Sequence, residues 1–425
     1  MWLMLPAGLA HAQTPATACP AVDPQALVLP AVLVRAQCLE PGLARLRAAA
    51  VQAGAVRDER DAAFKPSLSA QVTPSASTQR GDGTNTHAAS AQASLVLSQT
   101  LLDGGARNAR SGQAREQLAA SQSDLTAQTL ASQREMVGVW AAWRDALDAV
   151  DAADVSVASA QAAFASAEAR FRAGSAARTD VLSARAALAS AQRSRIDAQA
   201  TRAQTQVRLA QRLALSTELR PVGQDAPLLP AGFTTAIDAV ATHPQAAAQR
   251  SRVAAAQAQV DAARSEDRAT LSASASLGPQ WSRGNALTGR DDHRTQLGGE
   301  VGLVWSMPLS DGGARQSRIA QALAQADAER ARLAEVERGL AETLTQAQAA
   351  AMSAQAQLAA AQVAFEAAAE SEAAQRARYQ AGAGTLADWL SAQSELASSR
   401  RQAQQARQQV LRADIQLLTA NGQAL

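Results

Sequence analysis

The sequence predicts a mixed α+β membrane protein, in which four β-strands per chain contribute to a shared barrel and long α-helices form coiled coils. Three observations lead to this fold class. The chain contains the same large unit twice, each copy contains two segments in which apolar and polar residues alternate, and the remainder is rich in alanine. Alternation with period two is typical of strands with two different faces, and alanine favours helices that pack closely.

The internal repeat rests on two duplicated motifs. Residues 101–107 recur at 309–315, and residues 171–184 recur at 379–392. Between these motifs the two copies align without a gap. We therefore expect each half of the chain to build the same supersecondary unit.

The repeat divides the chain into a first unit at 13–220, a proline-containing linker at 221–235 and a second unit at 236–425. Residues 1–12 precede them, and their last three residues, Ala-His-Ala, resemble the cleavage site of a signal peptide. We expect an exported protein whose apolar N-terminus is a signal-peptide remnant. No apolar run is long enough for a membrane-spanning helix.

Charge and composition restrict the possible fold and partners of the chain. Hydrophobic residues make up 47% of the 425 residues, yet aromatic residues only 3%, which favours close-packed helices over bulky cores. The 40 basic and 38 acidic residues leave a net charge of +2. Arginines and acidic residues alternate along the same segments, the pattern of a solvated helix face, so we expect no nucleic-acid partner.

The cysteines and histidines form no recognisable chemical site. In an oxidising compartment Cys19 and Cys38 would form a disulfide, and two free thiols are the alternative. They make no CxxC motif and no cluster with histidine, so we expect no metal and no cofactor. The absence of a nucleophile or ligand at useful spacing from any histidine argues against an enzyme. The histidines are His11, His87, His243 and His293.

Four segments show the alternation of half-buried strands. In the first, Leu68, Ala70 and Val72 alternate with serine, glutamine and threonine. Each segment has the length of a tilted membrane-spanning strand. A soluble sandwich would also alternate, but four strands without further strand signals could not close one. The predicted strands are 66–79, 88–101, 269–282 and 294–308, and polar loops at 80–85 and 283–293 join each pair.

Long segments without proline predict helices. Trp143, Val150, Val157 and Phe164 recur every seven residues, with alanine three positions after each. This pattern is typical of a coiled-coil seam with close helix approach. The helix that contains them would be about 100 Å long, and the two shorter helices of the repeat together match its length. The predicted helices are 33–63, 106–170 and 178–213, then 236–266, 314–378 and 386–419.

Four strands are too few to close a membrane barrel, because single-chain barrels begin at about eight strands. A strand edge that faces lipid is not tolerated, so the chain must share a barrel. Two copies would give a lumen filled by side chains, whereas three copies would leave an aqueous bore. The polar strand positions are mostly serine, glutamine and threonine, which suits the aqueous bore.

The Leu-Leu-Asp-Gly-Gly-Ala-Arg junction at 101–107, the helical turn before Thr-Asp-Val-Leu at 179–182 and the tandem repeat resemble the TolC family of outer-membrane efflux proteins. The resemblance implies a homotrimer whose twelve-stranded β-barrel lies in outer-membrane lipid and continues as an α-helical barrel through the periplasm. It also implies a periplasmic adaptor protein and an inner-membrane transporter of the ABC or RND type as partners. Residues 31–41 are similar to a cysteine-bearing subset associated with type I secretion of toxins.

The resemblance assigns the two helix-to-helix turns as the tips that meet the adaptor. Glycine permits the left-handed backbone that ends a helix, and small side chains let a partner approach closely. Simple helix reversal needs the same residues and is compatible with this role. The tip residues are Gly174, Ser175, Ala176 and Ala177 in the first repeat and Gly382, Ala383, Gly384 and Thr385 in the second.

Asp388 and Asp180 follow the two tips and are the candidate gate residues. In the family, the position of Asp388 faces the threefold axis and contributes to an acidic ring that constricts the closed pore. The position of Asp180 holds neighbouring coiled coils together. A second aspartate, usual three residues after the first, is Ser391 here. The alternative is that each aspartate only caps or favours a helix N-terminus.

These observations predict a passive exit duct of the outer membrane that extends into the periplasm. Type I protein secretion is the leading function, and small-molecule or metal efflux is the alternative. A coiled-coil rod or adhesin without a pore is the rival from another class. Such a rod would not need a pair of strands twice per chain.

Overall fold

The protein is described by a computed structural model. The signal-peptide remnant expected at 1–12 lies outside the described residues, which are 19–81, 84–215, 219–223, 228–229, 233, 238–284 and 292–425. The chain divides into two compact units, which we call the helical unit and the strand-bearing unit. The helical unit comprises Met1–Arg45, Thr126–His243 and Gly339–Leu425, and the strand-bearing unit comprises Leu46–Leu125 and Pro244–Arg338.

Each repeat contains two helices, two strands, a long helix and a return helix. The first repeat consists of α1 Leu29–Leu39, α2 Pro41–Ala62, β1 Ser67–Gly81, β2 Thr84–Leu102, α3 Ala106–Arg172 and α4 Arg178–Leu213. The second consists of α5 Ala239–Thr242, α6 Pro244–Ser265, β3 Thr270–Gly284, β4 Asp292–Ser306, α7 Ala314–Gln380 and α8 Leu386–Ala420. The predicted fold class, with four strands and long helices in each chain, is confirmed. Among the described helices, none combines the length and the hydropathy needed to cross a membrane.

The first predicted helix of each repeat is interrupted, so both of these predictions were wrong. The helix predicted at 33–63 is divided into α1 and α2 by Glu40, whose backbone is extended (φ −70°, ψ 117°). The helix predicted at 236–266 is divided into α5 and α6 by His243 (φ −60°, ψ 134°). Proline follows in both cases. Its ring disfavours the helical conformation at the preceding residue, and its fixed φ suits the first position of a new helix.

The strands reach further into both hairpins than the alternation predicts, because polar residues occupy both faces there and hide the period. β4 ends at Ser306 rather than at residue 308, since Pro308 has no N–H to donate to the ladder. Inside the loops predicted at 80–85 and 283–293, the last backbone pairs are Gly81 with Thr84 and Gly284 with Asp292.

The four strands form one antiparallel sheet in the order β1-β2-β3-β4, within the strand-bearing unit. Most rows of the register join residues of like polarity across the four strands. An apolar row contains Leu68, Leu97, Ala275 and Val301, and a polar row contains Thr73, Gln92, Gln280 and Gln296. Side chains of the apolar face are exposed, with Leu297 at 75% and Val301 at 84%.

The largest core lies in the helical unit and is built on α3. Trp140 and Trp143 are at most 1% exposed, and their rings meet edge to face with centroids 5.2 Å apart. Truncating such a side chain costs about 3–5 kcal/mol. The small residues of the seam are also buried, since none is more than 7% exposed: Ala146, Ala153, Ala160 and Ala167.

A disulfide and several hydrogen bonds hold the N-terminal segment against this core. Cys19 and Cys38 form a disulfide whose Cα atoms are 5.7 Å apart. Buried Leu27 exchanges backbone hydrogen bonds of 2.9 Å with Arg220 and Val222. The Nε of Arg35 donates to the carbonyl of Leu213 at 2.7 Å. A disulfide that closes a loop of this size stabilises a fold by about 3 kcal/mol in the chain-entropy model.

Candidate functional site

The turn between α3 and α4 contains the four tip residues of the first repeat. Gly174 has φ 74°, a left-handed conformation that costs other L-residues about 1–2 kcal/mol. The backbone N–H of Ser175 closes the end of α3 by donating to the carbonyl of Arg170 at 2.9 Å. The turn is open to solvent: Gly174, Ser175 and Ala177 are exposed, and Ala176 is half-buried.

The turn between α7 and α8 repeats this geometry. Gly382 has φ 78°, and the N–H of Ala383 donates to the carbonyl of Arg378 at 2.9 Å. Gly382, Ala383 and Thr385 are exposed, and Gly384 is half-buried. A Cβ at Gly384 would lie 3.2 Å from that of Arg378, so this position is restricted by a close approach rather than by its backbone angle.

Arg170 brings the two turns together. Its Nη2 donates to the carbonyl oxygens of Tyr379 at 2.6 Å and Gln380 at 3.0 Å, at the end of α7. Its guanidinium also lies 4.4 Å from the centre of the Tyr379 ring. A charged donor on two carbonyls and a cation over a ring are both favourable contacts. The two turns of one chain therefore form a single surface.

A small apolar cluster supports this surface. Tyr379 and Trp389 are each 3% exposed, with ring centroids 5.3 Å apart. The indole Nε1 of Trp389 donates to Glu372 at 2.8 Å. Ala167 and Ala184 are fully buried against these rings, which shows why small residues are required there.

Arg170, Tyr379 and Trp389 are not among the site residues predicted from the sequence. A comparison of the two repeats could have identified the two aromatic residues, because the repeats differ at these positions. Phe171 and Val181 occupy the positions that match Tyr379 and Trp389, so the aromatic pair exists in one copy only.

Asp388 is the third residue of the first turn of α8 and forms a capping box with Thr385. The Thr385 hydroxyl donates to Asp388 Oδ2 at 2.6 Å and accepts from the Asp388 N–H at 3.1 Å. The hydrogen bond from the Thr385 hydroxyl, together with one from the Thr385 backbone N–H, lowers the pKa of Asp388 despite some desolvation, and the charge of Arg378 adds to the effect. The capping alternative for Asp388 thus has a complete geometry, while its place in a ring remains a prediction.

Asp180 lies at the matching position of α4 but has no such partner at the N-cap. That residue is Ala177, which offers no side-chain hydrogen bond, and only its carbonyl accepts the N–H of Asp180 at 3.1 Å. Asp180 is half-buried. The two candidate gate residues therefore differ in their local support.

Two further aspartates begin the long helices in the strand-bearing unit. Asp103 accepts the backbone N–H of Gly105 at 3.2 Å and that of Arg107 at 2.8 Å, and Asp311 repeats both contacts with Gly313 and Arg315. Burial opposes ionisation, but the hydrogen bonds from Arg107 and Gly105 outweigh it and lower the pKa of Asp103. The duplicated Asp-Gly-Gly-Ala-Arg motif therefore begins the long helix in each repeat, and its aspartate accepts backbone N–H groups there.

The described residues contain no group of three or more His, Cys, Asp or Glu side chains arranged to hold a metal ion. The geometry at the tips instead offers two left-handed glycines, exposed small side chains and one exposed carboxylate. This surface suits contact with another macromolecule rather than chemistry on a substrate.

Comparison with known proteins agrees with this architecture. The structure resembles a membrane protein from Pseudomonas aeruginosa, with a TM-score of 0.81 and 20% identity over 95% of this chain and 98% of that one. It also resembles the CmeC outer membrane channel of Campylobacter jejuni, with a TM-score of 0.78 and 16% identity over 93% and 85% of the two chains. The outer membrane protein VceC of Vibrio cholerae matches with a TM-score of 0.75 and 18% identity over 93% and 96%. At these identities the likeness shows the fold.

Among curated proteins, none matches the chain significantly. The family model described as outer membrane efflux protein matches residues 32–215 and 237–423, one segment in each repeat. The resemblance to the TolC family is thereby confirmed, with an outer-membrane location and a role in efflux rather than in catalysis. The chain belongs to the outer membrane efflux protein family.

Proposed function

We propose that three copies of this chain assemble into a passive exit duct across the outer membrane and the periplasm. The sheet carries the proposal, because it exposes an apolar face and its edge strands, β1 and β4, have no further neighbour among the described strands. Unpaired backbone groups in lipid cost several kcal/mol each. Three such sheets joined edge to edge would pair these groups in a twelve-stranded barrel.

The polar face of the sheet supports an aqueous bore. Glutamine and threonine form one row across the four strands, and another row contains Ser67, Ser98 and Ser274. A twelve-stranded barrel is wide enough to leave water between such side chains. A coiled-coil rod or adhesin would have no use for a sheet with one lipid-compatible and one water-compatible face.

The tips are the proposed docking surface for a periplasmic adaptor, which would connect the duct to an inner-membrane transporter of the ABC or RND type. The exposed glycines and alanines of both turns allow a partner's backbone to approach. Arg170 supports this role because it holds both turns in one surface. Asp388, exposed beside Thr385, is the proposed charge of the closed gate. Asp180 is proposed to hold neighbouring coiled coils together in the closed state.

For the cargo, we propose protein export by type I secretion. The similarity of residues 31–41 to a cysteine-bearing subset supports this function, and the Cys19–Cys38 disulfide gives that segment a defined place on the core. Small-molecule or metal efflux is the second candidate, favoured by the efflux description of the family model.

Assembly and conductance test the duct. The mature chain purified in detergent is expected to have the mass of a trimer by native mass spectrometry and to produce conductance steps in planar bilayers. A stable monomer that leaves bilayers insulating would overturn the proposal in favour of a rod.

A deletion strain tests the cargo. Type I secretion predicts the loss of specific proteins from the culture medium, restored by the wild-type gene. Unchanged secreted protein with increased sensitivity to toxic compounds or metal ions would assign the duct to efflux instead.

A further inference from the structure

Glu300 is the one charged residue in the interior of the four strands, all of which the structure describes. It lies near the middle of the 15-residue strand β4. The remaining charged residues of the strands occupy the last three positions at the hairpin ends: Arg80, Arg283, Asp292 and Arg294. An ionisable residue inside a membrane-spanning segment is costly unless it faces water, so such residues usually carry a function.

The register places Glu300 on the polar face of the sheet. It lies in one row with Ser69, Val96 and Ser276. Its chain neighbour Val301 belongs to the opposite, apolar face and is 84% exposed. Successive strand residues point to opposite faces, so Glu300 points into the bore if Val301 points to lipid.

The surroundings leave the carboxylate accessible. Glu300 is exposed, and no basic side chain of the described residues pairs with it. Its same-face neighbours along β4 are Gly298 and Gly302, and a Cβ at Gly298 would meet nothing within 4 Å. Glycine on both sides leaves room for hydrated ions beside the carboxylate.

We propose that Glu300 is a selectivity-determining residue of the channel, and that three copies form a ring that attracts hydrated cations and cationic groups of the cargo. This inference rests on the proposed trimeric duct. It is distinct from the Asp388 gate, because Glu300 belongs to the strand-bearing unit and Asp388 to the helical unit.

The expected size of the effect follows from the width of the bore. Twelve strands about 4.8 Å apart and tilted by about 40° give a backbone diameter of about 24 Å. Three carboxylates about 8 Å from the axis would raise the cation concentration at the axis roughly sevenfold in 10 mM salt. The enrichment would fall to about two- to threefold at 0.15 M and would nearly vanish at 1 M. Selectivity should therefore appear at low ionic strength.

Single-channel recording in a salt gradient tests the proposal. In 10 mM KCl, Glu300→Gln is expected to lower the permeability ratio of potassium over chloride by about threefold or more, with no change at 1 M. The double variant Glu300→Gln, Ser276→Glu should restore the wild-type ratio, because Ser276 is the cross-strand partner of Glu300 on the same face.

The outcomes separate the two proposals. If the wild-type protein forms no channel, the duct itself fails. If the wild-type protein conducts and Glu300→Gln has the same permeability ratio at every salt concentration, the selectivity role of Glu300 is overturned while the duct stands. A reduced ratio that Ser276→Glu does not restore would also overturn it, since a bore charge should act from either strand of that row.

Discussion

Arg170 and Tyr379 join the two helix-to-helix turns of one chain, although they belong to different repeats. The guanidinium lies over the Tyr379 ring at 4.4 Å, and its Nη2 donates to the Tyr379 carbonyl at 2.6 Å. The exchanged positions hold Arg378 and Phe171, which retain an arginine and an aromatic ring, yet the cation–π contacts among the described residues do not include this pair. The contact is thus specific to the way in which the first turn packs on the second.

Replacing Arg170 with methionine is expected to loosen both turns. The variant retains an apolar stem but leaves two carbonyl oxygens without their charged donor, a loss of about 1–3 kcal/mol. Amide hydrogen exchange at residues 173–177 and 381–384 should accelerate by roughly tenfold or more, measured by mass spectrometry. If the two turns close the pore together, the conductance of the closed channel should rise as well.

Two variants control for this effect. Arg172→Met removes a neighbouring arginine that is 72% exposed and pairs with Glu168 at 3.7 Å, a contact worth at most about 1 kcal/mol. Tyr379→Phe keeps the ring and removes a buried hydroxyl that has no hydrogen-bond partner among the described residues. In both variants the amide hydrogens of the two turns should exchange at the wild-type rate. Acceleration in Arg172→Met equal to that in Arg170→Met would argue against a specific link.

The unequal caps of α4 and α8 predict stability changes of opposite sign. Thr385→Ala should destabilise by about 0.5–2 kcal/mol, because it removes the oxygen that accepts the Asp388 N–H. Ala177→Thr should stabilise by a similar amount, since it creates the same box with Asp180. Urea midpoints in detergent measure both, and Ala176→Thr, one position before the cap, is the neutral control. Destabilisation by Ala177→Thr would contradict the capping argument.

Local sequence signals predicted the elements that are decided locally. Period-two alternation located all four strands, and glycine located the ends of α3 and α7 within two residues. The two interrupted helices were also decidable locally, because Glu40 and His243 each precede a proline. The predictions of continuous helices overlooked the restriction that proline imposes on the residue before it.

The contacts across the tips could not be predicted in the same way. Arg170 meets Tyr379 across a sequence separation of 209 residues, and nothing in the pattern of either helix selects this partner over another. Tertiary packing decides such pairs. The ends of the hairpins were hidden for a different reason, since polar residues on both faces remove the alternation that marks a strand.

His243 should make the helical unit less stable at mildly acidic pH. Burial lowers the pKa of His243, and its hydrogen bond with the Thr419 carbonyl opposes this effect only in part. The folded state therefore holds the proton less tightly than the unfolded state. Stability is fully present above the unfolded pKa of about 6.5 and is lost as the pH falls below it, by at most about 1.4 kcal/mol per pH unit.

Urea midpoints between pH 7.5 and 5.5 measure this loss. His243→Gln should flatten the profile, because glutamine does not titrate in this range. Burial also raises the pKa values of Asp145, Asp148 and Asp414, which gives a slope of the opposite sign. These groups are present in both proteins, so the difference between the two profiles isolates His243. Parallel profiles would show that His243 does not contribute.

Substitutions at the tip glycines should separate the effect of side-chain bulk from the effect of backbone strain. A Cβ at Gly174 or Gly382 would meet nothing within 4 Å, although both residues have positive φ. Alanine at either position therefore costs about 1–2 kcal/mol in strain without a clash and should leave export largely intact. Tryptophan adds bulk to the proposed docking surface and should abolish export, while trimer formation and membrane insertion remain. Normal export by both tryptophan variants would remove the tips from the adaptor interface.

Asp388 could act as a gate charge or only as part of a helix cap, and the two roles predict different responses of the channel to polyvalent cations. If three copies lie near one axis in the assembled duct, their mutual repulsion in a narrow bore should raise at least one carboxyl pKa, opposing the hydrogen bonds that lower the pKa in the single chain. Such a ring should also attract polyvalent cations. Hexamminecobalt added from the periplasmic side should then block the closed channel.

Two variants separate the roles of charge and cap. Asp388→Ala removes the carboxylate and should relieve the block and weaken cation selectivity. Thr385→Ala removes the hydroxyl that bonds Asp388 Oδ2 at 2.6 Å but keeps the charge, so it should leave the block in place. Block that persists in Asp388→Ala would assign Asp388 to the start of α8 alone. Block that both variants relieve would show that the gate needs the carboxylate in its capped orientation, because Thr385→Ala keeps the charge and removes the hydroxyl hydrogen bonds of the capping box.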